Sequence, residues 1–298
     1  MNQLFKKAFT LIELLVVIAI IGILSGLIVV SMSGVTKKAT IAKAQVFSNS
    51  LRNALMLNLV SEWKFEEGSG TVANDTWKGT ANGTITGATY SATASCLYGG
   101  CLAFSGTGQY VTVSHAVVPV FTTKLTVMSW VKGVAQANGT VISQWDDNGK
   151  RSWIMNSSNG LLRVGLSSDG GATNYKSYVT SSVIGFDNDW HFIGFSYDTG
   201  TLSLYVDGVV ADVTLVADGT CNSLFDSDAN LTIGCALSSG SETNLFVGNI
   251  DDTRLYNDSV PTSQIKEMYY SGLNNLLANG SIGIDEYKDR MGELAIKP

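Results

Sequence analysis

The chain has 298 residues, room for one large domain or two ordinary ones and too much for a single short peptide scaffold. Its formal charge of −6 leaves no basic surplus to neutralise phosphates, which excludes a dedicated nucleic-acid binder. Its two histidines, His115 and His191, leave few routes to a multi-histidine metal centre. Charged residues at 15% and hydrophobic residues at 45% argue against disorder over most of the chain. In chain order, Lys6 and Lys7 precede an apolar run from Phe9 to Val30 whose one ionised side chain is Glu13. At about 1.5 Å per residue such a helix reaches the ~30 Å hydrocarbon thickness of a bilayer. The lysines predict a cytoplasmic N-terminus, with everything after Val30 exported. A carboxylate among leucines costs several kcal/mol unless paired or protonated, so Glu13 is a functional candidate. From Ser31 to Val60 there is no proline, and Ala39, Ala42, Val46, Ala54 and Leu57 recur at steps of three and four between Lys37, Lys38, Lys43 and Arg52. The expected element is an amphipathic stalk helix continuing the membrane segment.

The residues Lys6-Lys7-Ala8-Phe9-Thr10-Leu11-Ile12-Glu13-Leu14-Leu15-Val16-Val17-Ile18-Ala19-Ile20-Ile21-Gly22 resemble the N-terminus of type IV pilins and type II secretion pseudopilins. That resemblance implies cleavage between Ala8 and Phe9 by a membrane prepilin peptidase, and methylation of the new Phe9 amine. It also implies assembly with other pilin subunits, Glu13 pairing with the amine of a neighbour. The pairing is physically coherent, because a cationic amine offsets a carboxylate in lipid and fixes axial register between helices. Two positions depart from the family pattern: Ala8 stands where Gly is usual, and Val30 stands near the place of a late proline. Gly22 and Gly26 are then the positions left to relax the helix. The plain alternative is a signal anchor in which Glu13 is incidental.

After Val60 the pattern changes to short period-two runs broken by Gly, Asn, Asp and Ser. Leu202 to Val206 alternates, and Asp207-Gly208 supplies a tight turn into Val209-Val210. Similar runs at Tyr110 to Val113, Leu125 to Val131, Leu161 to Leu166, Phe192 to Tyr197, Leu231 to Ile233 and Phe246 to Tyr256 predict an antiparallel sandwich. Trp63-Lys64-Phe65-Glu66-Glu67-Gly68, Leu102-Ala103-Phe104-Ser105-Gly106, Leu125 to Val131, Trp190-His191-Phe192 and Phe246 to Asn257 together resemble laminin-G-like domains of the concanavalin A-like lectin/glucanase superfamily. The expected architecture is mainly β: a jelly-roll sandwich carried on a long N-terminal α-helix, with short C-terminal helices. The divisions are a leader at residues 1–8, a transmembrane and stalk helix at 9–60, the jelly-roll at 61–258 and a helical tail at 259–298. In the tail, Pro261 opens a helix around Thr262 to Gly272, a turn is expected at Asn279-Gly280, and no chemistry is assigned.

Hydrolysis by some members of that superfamily uses two carboxylates in E-x-D-x-x-E spacing on one strand face, and no such spacing occurs here, so an enzyme is not expected. The resemblance implies a structural calcium ion on hard oxygen ligands, and the matching positions are Asp75, Asn82 and Asp252, with Asp251 as a neighbour. Against it, Gly108-Gln109 replaces the acidic pair usual in that loop, and Asp and Asn also cap turns through their own backbone. For stacking on a pyranose, Trp145, Trp153, Tyr175 and Tyr178 are the candidates, against the plainer reading that large aromatics fill the core. His191 beside Trp190 reads as a packed histidine. Of three possible connectivities, short loop closure favours disulfides Cys96–Cys101 and Cys221–Cys235, the alternative being buried thiols. The combined expectation is a filament subunit, inserted first in the inner membrane and then displayed in a surface pilus, that presents a domain binding a glycan or a protein. The alternatives are a pseudopilin held in a periplasmic pseudopilus and a membrane-anchored glycan hydrolase.

Overall fold

The computed structural model describes residues 11–23, 58–91, 96–97, 99–182 and 185–296, and divides into two units, residues 1–54 and 55–298. In the first, residues 11–23 form helix α1. Leu11, Ile12, Ile18 and Ile23 are exposed, as a helix apolar on nearly every face must be unless lipid or other helices surround it. At about 1.5 Å per residue these turns measure about 20 Å, and no helix among the described residues is long and apolar enough to cross a membrane. The predicted span to Val30 extends outside the described residues, and most of the predicted stalk lies outside them, as does the predicted cut at Ala8 and Phe9. The end of the stalk is corrected, because Leu59 and Val60 are not helical but open a strand, Leu59–Trp63, that pairs within the second unit.

The second unit is a sandwich of two sheets. One runs Val209–Val210 (β14), Thr201–Val206 (β13), His191–Asp198 (β12), Lys124–Gly133 (β7), Val247–Tyr256 (β19), Leu102–Ser105 (β5) and Thr89–Tyr90 (β4). Leu59–Trp63 (β1) pairs with the far end of β19, and the change of partner from β5 to β1 falls at a bulge around Asp251 and Asp252. The other sheet runs Val213–Asp218 (β15), Tyr175–Thr180 (β11), Leu161–Gly170 (β10), Lys150–Ser158 (β9), Gly139–Asp146 (β8), Leu231–Ile233 (β16), Tyr110–Val113 (β6), Gly83–Thr86 (β3) and Val72–Ala73 (β2). Ala236–Ser238 (β17) and Ser241–Thr243 (β18) attach at β8. The expected turn between β13 and β14 has φ of 52° at Asp207 and 77° at Gly208, the left-handed pair that a two-residue hairpin requires.

Val127, Trp153, Val164, Phe195, Leu231 and Ile250 fill the space between the sheets. β7 is buried on both faces, because Met128 and Trp130 belong to a second core under helices α2 (Thr262–Ala278) and α3 (Ile284–Ile296). Tyr269 stacks on Trp130 with ring centroids 5.5 Å apart, and Ile265, Met268, Leu273 and Leu276 are buried in the same cluster. Gly272 lies so close to the Trp130 indole that a Cβ would collide with it. The tail is therefore the outer cover of the first sheet. Helix α2 runs on past the predicted Gly272 because Leu273 and Leu276 continue its apolar stripe. It ends at Asn279, followed by Gly280 at φ 78°, where the turn was expected.

Candidate functional site

The four aromatic candidates separate by face. Side chains alternate along a strand, and on β10 Leu162, Val164 and Leu166 point into the core while Arg163 and Gly165 point outward. Trp153 lies wholly buried between the sheets, its ring centroid 6.0 Å from that of Phe195, and Tyr178 packs partly buried against the same core. These two are structural. Trp145 and Tyr175 lie on the outer face, meeting edge to face at 5.6 Å over Ile154.

Around that pair is a cavity of about 290 Å³ bordered by Asp147, Arg151, Asn156 and Arg163. Two bulges aim its walls. Between β8 and β9 the register steps from Gln144↔Trp153 to Trp145↔Arg151, so Ser152 is the extra residue and Arg151 turns onto the face of Trp145 instead of following Trp153 inward. A second shift, around Val141, places Thr140 opposite Asn156. Gly165 leaves room for Tyr175, whose ring end occupies the space a Cβ there would take. One oxygen of Asp147 accepts from the Trp145 indole N–H at 2.8 Å and from Arg151 Nε at 3.1 Å, and the Arg151 guanidinium lies 5.5 Å over the Trp145 ring. Arg163 donates from Nε to Ser177 Oγ at 2.8 Å and from Nη2 to Tyr175 Oη at 2.7 Å. Asn156 is 4% exposed, and its Oδ1, like the Oγ1 of neighbouring Thr140, has no hydrogen-bond partner among the described residues.

The sequence reading missed Arg151, Asn156 and Arg163. The signal for Arg163 and Asn156 was available in the period of β9 and β10; the signal for Arg151 was not, because a bulge reverses it.

Asp75, Asn82 and Asp252 are each engaged by protein donors. Asp75 Oδ1 accepts from the backbone N–H groups of Glu62 and Trp77, each at 3.1 Å, and Asn82 Oδ1 accepts from the Asp75 N–H at 2.8 Å. Asp252 accepts from Arg254 Nε at 2.9 Å. Among the described residues no group of three acidic, histidine or cysteine side chains is placed to hold a metal ion. The contacts these oxygens make are those of turn capping and an ion pair. The neighbouring Asp251 is wholly buried, and burial, together with the Asp252 and Glu66 charges, pushes its carboxyl well above the usual carboxylate range. It accepts from the Leu97 N–H at 3.0 Å and pins the loop closed by the Cys96–Cys101 disulfide.

The predicted second bridge is corrected: Cys221 and Cys235 are buried free thiols. Cys221 packs in the inter-sheet core with its Sγ 3.2 Å from Ser223 O, and burial pushes its thiol up to about 11. Burial pushes Cys235 up to about 12. His191 is packed as expected, Nδ1 lying 2.7 Å from Asp207 Oδ2 and Nε2 3.0 Å from Asp187 Oδ1. Glu13, the residue expected to act in assembly, lies exposed on α1.

Comparison with known families matches residues 5–29 to the prokaryotic N-terminal methylation motif and residues 105–266 to a laminin-G-type model of the concanavalin A-like lectin/glucanases superfamily. A comparison with curated proteins gives no match. Among solved structures, the chain is similar to the binding domain of Paraclostridial Mosquitocidal Protein 1, with 15% identity, TM-score 0.57, and coverage of 74% of this chain and 53% of that one. It is similar to the botulinum neurotoxin serotype D ligand binding domain in complex with N-acetylneuraminic acid, with 14% identity, TM-score 0.56, and coverage of 75% and 53%. It is also similar to domain 4 of AbnA, an extracellular arabinanase from Geobacillus stearothermophilus, in complex with arabinotriose, with 17% identity, TM-score 0.52, and coverage of 71% and 98%. The chain spans about half the length of the two toxin domains, and at these identities the likeness is one of fold. With the laminin-G-type match extending over more than half of its residues, the chain belongs to the concanavalin A-like lectin/glucanases superfamily.

Proposed function

We propose that the protein is a type IV pilin-like filament subunit whose jelly-roll domain binds a glycan or protein outside the cell. The observation that carries this reading is the presence, in one chain, of the methylation motif at residues 5–29 and a domain of the concanavalin A-like lectin/glucanases superfamily at 105–266. The precursor sits in the cytoplasmic membrane with its C-terminus outside. Prepilin peptidase cuts before Phe9, and the acid at Glu13 registers one subunit against the amine of the next. Loss of Lys6 and Lys7 with the leader makes the mature chain more acidic, which favours solubility outside the cell. Two structures of similar fold hold a saccharide, and the outer-face cavity supplies the aromatic and amide groups a saccharide uses, which supports reading the domain as a binding module.

Mass spectrometry of the mature protein tests the processing half of this reading. The expected N-terminal residue is N-methyl-Phe9, recovered in a sheared filament fraction. Mature material that still begins at Met1 would overturn the filament reading and leave a membrane-tethered binding module.

A further inference from the structure

We infer that the outer-face cavity is a subsite for a uronic-acid sugar, a compact pyranose carrying a ring-attached carboxylate; this deepens the glycan-binding reading of the domain and rests on it. The first support is charge. Arg151 is matched by Asp147, but Arg163 gives its described hydrogen bonds to two neutral hydroxyls and forms no ion pair among the described residues. A guanidinium carries five N–H donors in a planar fork suited to a carboxylate. Arg163 retains donors at the edge of the cavity, fixed in direction by Ser177 and Tyr175, in a chain whose formal charge is −6. The three charged residues bordering the cavity, Asp147, Arg151 and Arg163, leave it one net positive charge.

The second support is independent of charge. Asn156 borders the cavity, and its Oδ1 is a buried acceptor with no hydrogen-bond partner among the described residues. An unpaired buried carbonyl costs about 1–3 kcal/mol. An anion cannot relieve it, because a carboxylate offers no proton; a hydroxyl can. The ligand that satisfies both ends therefore carries a carboxylate and, a few ångströms away, a hydroxyl donor. The apolar ground between those ends is the edge-to-face pair Trp145 and Tyr175, which suits the C–H face of a sugar ring. The volume of about 290 Å³ lies at the small end of ligand pockets, about 300–1,000 Å³, enough for one or two rings.

The test is titration calorimetry on the full-length mature protein in detergent, using galacturonate and glucuronate trisaccharides, each against its own methyl ester. Esterification removes the charge and keeps the shape. At least one acid should bind, with a loss of tenfold or more on esterification and a similar loss in Arg163→Gln, and with affinity falling as salt rises. Gly165→Ala, which displaces Tyr175 and with it one of the two hydroxyls that orient Arg163, should weaken the ester as well as the acid, and Arg151→Gln should weaken the acid less than Arg163→Gln does. Circular dichroism of each variant should match the parent. Ester and acid binding equally, or Arg163→Gln binding like the parent, would overturn the carboxylate assignment while leaving a neutral glycan site. No binding of any of the four probes by protein correctly processed at Phe9 would overturn the subsite and leave the filament reading standing.

Discussion

The buried titratable side chains make the sharpest statements at the residue scale. Burial lowers the His191 proton affinity, and the carboxylates of Asp207 and Asp187 outweigh burial and the opposing Arg290 charge, so the imidazole is held above its ordinary value of 6.5. A folded-state value raised in this way gives stability that is fully present below the unfolded value and is lost as pH rises through the folded one. His191→Gln should therefore cost several degrees of melting temperature at pH 5.5, and the gap to the parent should narrow as the pH is raised to 9. A gap that is constant across that range would show the contribution to be packing alone. The thiols make a second prediction. Cys221 and Cys235 are pushed up to about 11 and about 12, so both are protonated and poorly nucleophilic at neutral pH. Iodoacetamide should label neither in the native protein, two after unfolding without reductant, and four after unfolding with it. No label before reduction would restore the Cys221–Cys235 bridge. Spacing favoured that bridge because it measures loop closure; it does not measure whether two cysteines packed in separate surroundings approach each other.

The elements easiest to read from the sequence were those whose period is undisturbed. β12, β13 and β14 follow Phe192 to Val210 closely, because alternation and the Asp207-Gly208 turn agree on one register. The strands that build the cavity were harder. β8 and β9 each carry an extra residue, and a one-residue slip moves every later side chain to the opposite face. This is why Trp145 and Trp153, eight positions apart and alike by composition, separate into a cavity wall and a core residue. Their variants should separate too. Trp153→Ala removes a wholly buried indole and should cost about 3–5 kcal/mol in denaturant unfolding. Trp145→Ala, on the smaller outer cluster with Ile154 and Ala236, should cost clearly less while abolishing saccharide binding. Equal destabilisation by the two would place Trp145 in the structural core and remove it from the site.

At the scale of the whole molecule, the tail at residues 259–298 is joined to the jelly-roll by packing. Periodicity located its two helices, but no pattern in residues 259–298 says what their apolar faces cover, since the partner surface lies on β7 and β12, far away in sequence. In the fold, Ile265, Met268, Tyr269, Leu273 and Leu276 cover Trp130 and Phe192. At about 1.5–3 kcal/mol for each fully buried large side chain, these five contribute an amount comparable with the whole stability of a domain, about 5–15 kcal/mol. A chain ending at Asp258 should therefore not behave as a trimmed jelly-roll. It would expose Met128, Trp130, Phe192 and Tyr256 on one sheet face, and it should be recovered as aggregate or melt far below the full chain. Gly272→Ala is the graded form of the same experiment. A Cβ there meets ring atoms of the Trp130 indole, which is fully buried and stacked on Tyr269, so overpacking should cost about 1–3 kcal/mol and loosen α2 first, read as faster amide hydrogen exchange along Thr262–Ala278 with the β9–β10 hairpin unchanged. If the truncated chain were monomeric and as stable as the parent, the helical pair would be an appendage free to make contacts elsewhere in a filament. If it fails to fold, any surface the tail offers to other subunits is limited to the side of α2 and α3 turned away from Trp130.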